Sequence, residues 1–125
     1  MTCVLLIEDD EDLRFALAGV LTSAGYEVCE AEDGAAALRE AERRRPDMVV
    51  TDIVMDGMEG IAVIMAAREK FGDIPIVAMS GNSRYLENCE KLGADAALLK
   101  PFSRETLLNL LRALLKGDKL TPQPS

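Results

Sequence analysis

Four separate stretches of this 125-residue chain carry side chains that could do chemistry together: the acids Glu8, Asp9 and Asp10, the aspartate Asp52, the hydroxyl of Ser80 and the ammonium of Lys100. Taken singly, each has an ordinary explanation. Acids at 8–12 suit the start of a helix, and Ser80-Gly81 suits a turn. Brought together, they have a narrower meaning. Two like charges about 4 Å apart cost roughly 4 kcal/mol at an effective dielectric of about 20, so clustered carboxylates call for a cation. An all-oxygen donor set without His or Cys suits a hard ion, Mg²⁺ foremost. An ammonium and a hydroxyl suit an oxyanion better than a bare carboxylate. One aspartate ringed by a metal, an ammonium and a hydroxyl is apparatus for moving a phosphoryl group onto that aspartate.

Those residues meet only if the right elements carry them. Strand-like and helix-like patterns alternate along the whole chain. Apolar runs predict strands at 4–7, 27–31, 47–52, 74–79 and 96–99. Helical spacing follows each: Leu13, Ala16, Leu17, Val20, Leu21 and Ala24, then 34–44, 60–71, 83–92 and 103–116. Ser103 is placed to cap the last helix, with Glu105 in its first turn. Five strand–helix repeats with apolar strands predict an α/β, doubly wound, five-stranded parallel sheet of flavodoxin-like order 2-1-3-4-5, with five helices. In such a sheet, ligands sit beyond the carboxyl ends of the strands. The strands expected at 4–7, 47–52, 74–79 and 96–99 run into Glu8, Asp52, Ser80 and Lys100.

Composition narrows the chemistry further. Length and 49% hydrophobic content fit one globular domain over residues 1–116, with 117–125 as a tail or the start of a linker. With no histidine, Ser/His/Asp and Cys/His catalysis are excluded, as is a phosphohistidine on this chain. Cys3, Cys29 and Cys89 fit neither a disulfide framework nor a zinc site, and buried thiols are expected. A net charge of −8 opposes direct nucleic-acid binding. The basic run Arg43-Arg44-Arg45 is expected to face the carbonyl end of its own helix. No run is long and apolar enough to insert in a membrane, and no signal-like leader is visible, so a cytoplasmic location is expected.

The strings Leu5-Leu6-Ile7-Glu8-Asp9-Asp10, Val49-Val50-Thr51-Asp52 through Gly57-Met58-Glu59-Gly60, Ile74-Pro75-Ile76-Val77-Ala78-Met79-Ser80, and Gly93-Ala94-Asp95 through Lys100-Pro101-Phe102 resemble receiver domains of two-component response regulators, over about residues 3–116. The resemblance implies roles. Glu8, Asp9 and Asp52, with the main-chain carbonyl of Val54, would hold Mg²⁺. Asp52 would accept a phosphoryl group from a histidine kinase or phosphotransfer protein. Ser80 and Lys100 would contact the phosphoryl oxygens, and Lys100–Pro101 would be a cis peptide. The protein would be a signalling switch rather than an enzyme, acting on a downstream protein target.

Two positions depart from the family's common form: Asp56 stands where a proline is usual, and Ala97 where an aromatic ring is usual. They keep open an interaction-only pseudo-receiver. A small phosphohydrolase with Asp52 as nucleophile is a second alternative, although the acid expected two residues on is Val54. An FMN carrier would need a phosphate loop rich in Ser, Thr and Gly where Glu8-Asp9-Asp10-Glu11-Asp12 stands. The last helix carries Leu107, Leu108, Leu110, Leu111, Leu114 and Leu115, an arc wide enough for a broad buried front or for a homodimer surface.

Overall fold

Three of the apolar runs, β1 (Cys3–Ile7), β3 (Met48–Asp52) and β4 (Ile76–Ser80), are buried at every residue. A strand apolar on both faces can only lie inside a sheet covered on both sides. The computed structural model, which describes residues 2–53, 59–87, 91 and 93–117, places them at the centre. The edges are β2 (Glu27–Ala31) and β5 (Ala96–Leu99), giving the parallel order β2-β1-β3-β4-β5 expected from the sequence.

Alternation along the strands sorts the core into two halves. Leu5, Ile7, Val49 and Ile76 point to one face, against α2 (Gly34–Arg43) and α3 (Glu59–Phe71). Val4, Leu6, Val50 and Val77 point to the other, against α1 (Glu11–Ser23) and α5 (Arg104–Leu115). Leu21, Leu107 and Leu111 are fully buried on that second face, and each such side chain contributes about 1.5–3 kcal/mol. Leu108, Leu110 and Leu114 also pack on the core, so most of the leucine arc is spent inward and of its six leucines only Leu115 is exposed.

Turn chemistry fixes the element ends. Asp10, Asp33 and Ser103 cap α1, α2 and α5 by accepting from the N–H three residues on. Gly25, at φ 96°, leaves α1 through the left-handed region. Gly93, at φ 119°, would also bring a Cβ within 3.6 Å of Ile64. Arg68 joins the base of α3 to the entries of β4 and β5, donating to Gly93 O, Ile74 O and Asp95, and also to Gly72 O.

Three expectations need correction. β4 begins at Ile76, not 74: Pro75 has no N–H, the Ile74 carbonyl is taken by Arg68, and the Ile76 N–H is taken by Asp95. Among the described residues the fourth helix, α4 (Ser83–Leu86), is one turn and Glu87 already a turn, while 88–90 and 92 of the expected 83–92 lie outside the described residues. The basic run meets its expectation only at Arg43, which lies in the last turn of α2 near the carbonyl end of that helix. Arg45 donates to Phe71 O at the end of α3, Arg44 pairs with Glu27, and Arg43 pairs with Glu40.

Among the described residues, no helix is long and apolar enough to cross a membrane.

Candidate functional site

Parallel pairing brings the carboxyl ends of the strands to one edge of the sheet. Ile7 pairs with Thr51, Asp52 with Met79, and Ser80 with Leu99, so the next residues out of β1 and β5 are Glu8 and Lys100. Glu8, Asp9 and Asp52 each offer a carboxylate oxygen within 4.8 Å of the other two. Lys100 Nζ donates to Glu8 Oε1 at 2.5 Å and to Asp52 Oδ2 at 2.9 Å. Four residues from three stretches of chain therefore share one small volume.

Glu8 is 1% exposed, and its surroundings hold it from several sides. Its N–H donates to Ala31 O on β2, and its Oε2 accepts from the Asp10 N–H. Its carbonyl accepts from Arg14 Nη1 at 2.8 Å, while the same guanidinium lies 3.5 Å from Glu30. Burial pushes the Glu8 carboxyl up to about 7. The Lys100 ammonium and the Asp10 N–H draw it down, and neighbouring Asp9 and Asp52 push it up again. Burial acts to lower the Lys100 pKa, but its bonds to Glu8 and Asp52 outweigh this and hold it raised. Sequence reasoning passes over Arg14, a cation two residues beyond the acidic run whose partner is a main-chain carbonyl.

Ser80 is buried at the end of β4. Its Oγ accepts from the Asn82 N–H, its carbonyl accepts from the Lys100 N–H, and the Asn82 side chain caps α4. The Lys100–Pro101 bond is cis. Ala97 is half-buried beside Ala78. Val54, Asp56 and Gly57 lie outside the described residues. The donor set of two buried carboxylates and one exposed carboxylate, with no nitrogen or sulfur, suits a hard divalent cation.

The family model of the response regulator receiver domain matches residues 4–112. The transcriptional regulatory protein PrrA of Mycobacterium tuberculosis is 39% identical over 115 residues, which is 90% of this chain and 49% of that protein. The response regulator MprA of Mycobacterium leprae is 37% identical over 118 residues, 93% of this chain and 52% of that one. The chain spans about half the length of these curated relatives. Among solved structures, the chemotaxis response regulator CheY4 of Vibrio cholerae superposes with a TM-score of 0.82 at 32% identity, covering 91% of this chain and 98% of that one. The receiver domain of NtrX from Brucella abortus gives 0.84 at 27% identity, covering 90% and 98%. With that fold, that strand-end geometry and a family match over most of its length, the chain belongs to the response regulator receiver domain family.

Proposed function

We propose that this chain is a Mg²⁺-dependent switch that accepts a phosphoryl group on Asp52 from a histidine kinase or phosphotransfer protein. The observation that carries the reading is the pair of bonds from Lys100 Nζ to Glu8 and Asp52, beside a third carboxylate from Asp9. Glu8, Asp9 and Asp52 would hold the ion, with the Val54 main-chain carbonyl as a further ligand. When bound, Mg²⁺ supplies positive charge against the carboxylates and the incoming phosphoryl oxygens.

The remaining work falls to the chain's own groups. An Asp52 oxygen attacks phosphorus, the P–N bond of the donor phosphohistidine breaks, and the imidazole nitrogen leaves with the electron pair. Lys100 moves its ammonium from carboxylate to phosphoryl oxygen, a shift its flexible stem allows. Ser80 turns its hydroxyl toward a second phosphoryl oxygen. Arg14, tied to the Glu8 carbonyl, keeps the buried carboxylate aimed at the site. Phosphorylation then shifts a two-state equilibrium and changes which protein binds. A protein target suits the net charge of −8 better than nucleic acid does. Ala97 offers no ring to follow Ser80, so the change would be relayed by another element.

The test is intact mass after incubation with acetyl phosphate. One phosphate adduct is expected with Mg²⁺ present. It should be absent with EDTA and absent in Asp52→Asn. An adduct that survives both changes would refute the reading.

A further inference from the structure

A second reactive pair lies on the sheet, away from the strand ends just described. Cys3 of β1 and Cys29 of β2 carry free thiols whose sulfurs are 3.6 Å apart, in van der Waals contact. Parallel register explains the meeting: Cys3 pairs with Glu27 and Leu5 with Cys29, so the two cysteines share a face of the sheet on a diagonal. Their access differs. Cys3 is 1% exposed and its N–H is held by Asp47, whereas Cys29 is half-buried and packs at the margin of the core.

We propose that Cys3 and Cys29 form a reversible disulfide, making this strand pair a site of oxidative modification by peroxides. Cys29 is the sulfur an oxidant reaches. Its thiolate attacks one peroxide oxygen, the O–O bond breaks, and Cys29 becomes a sulfenic acid as the peroxide is reduced to water. Cys3 then resolves it. The Cys3 sulfur attacks Cys29 Sγ, the S–O bond breaks, and hydroxide leaves with the proton Cys3 gives up, forming a second water. The sum is two thiols and one hydrogen peroxide to one disulfide and two waters. Burial and the adjacent Cys29 push the Cys3 thiol up to about 11, so Cys3 stays protonated and the first attack falls to Cys29.

The experiment uses the whole reduced chain treated with hydrogen peroxide, then quenched with iodoacetamide in denaturant and mapped by peptide mass. The expected product has lost two hydrogens, carries a Cys3–Cys29 linked peptide within one chain, and regains both thiols in dithiothreitol. Cys89→Ser should behave as the wild type. Cys3→Ser should instead leave Cys29 as a sulfenic acid that dimedone traps. Full alkylation of Cys3 and Cys29 after peroxide, or linkage only between chains, would overturn the proposal. The wild-type peptide map decides this even if a variant folds poorly.

Discussion

Replacing Lys100 with methionine keeps most of the stem and removes the ammonium that Glu8 and Asp52 share. At 2.5 and 2.9 Å, and an effective dielectric of about 20, the two gross attractions are roughly 6.6 and 5.7 kcal/mol. Desolvation of the three groups cancels much of this, because Glu8 is 1% and Asp52 6% exposed. Breaking a buried pair by removing one partner typically costs about 3–5 kcal/mol. The variant has one relief: Glu8, already pushed up to about 7, can take a proton. A net loss of about 2–4 kcal/mol at pH 7.5 with EDTA is therefore expected. Urea unfolding reads it as a midpoint lowered by about 0.7–4 M, given a slope of about 1–3 kcal/mol/M. At pH 5.5 Glu8 is largely protonated in the parent as well, so the loss should shrink. Mg²⁺ should restore more stability to the variant than to the parent, since it no longer competes with the ammonium. A loss below about 0.5 kcal/mol, or an equal loss at both pH values, would refute the coupling of Lys100 to Glu8.

Three further outcomes follow from the same geometry. Because the folded Glu8 carboxyl titrates near 7 rather than 4.5, its proton favours the folded state; that contribution is complete below about pH 4.5 and is lost as pH rises through 7. Denaturant titrations in EDTA across that range should show it, and calorimetry should show Mg²⁺ uptake releasing protons and strengthening from pH 5.5 to 8. Arg14→Gln, which removes the charged donor to the Glu8 carbonyl, should weaken Mg²⁺ binding by about 10-fold or more; unchanged affinity would leave Arg14 with a purely structural part. Leu111→Ala empties a fully buried position between α5 and the sheet and should cost about 2–5 kcal/mol in urea, while the phosphorylation rate per folded molecule stays the same.

The strands, and the arrival of Glu8, Asp52, Ser80 and Lys100 at one edge of the sheet, were legible because strand period and strand ends are local properties of the sequence, while the sheet order followed from crossover rules. Runs such as Met48-Val49-Val50, repeated between helical segments, fit covered parallel strands, whose last residues then share an edge. Partnerships set by distant chain were not legible. The start of β4 depends on Arg68 and Asp95, and the destination of Arg45 depends on where α3 ends. Cys3 and Cys29 read as separate buried thiols, since their contact requires the register between β1 and β2. Arg14 was overlooked for the same reason: its partner is a main-chain carbonyl, which no residue type announces.

If Asp52, flanked by an ammonium and by groups fit to hold a divalent ion, takes up phosphorus, it does so as an acyl phosphate. Borohydride reduces an acyl phosphate to the alcohol, so chain treated with acetyl phosphate and then borohydride should yield homoserine at position 52. The product should appear with Mg²⁺ and be lost with EDTA. Homoserine at position 9, 10 or 56 instead, or at 52 regardless of metal, would contradict it.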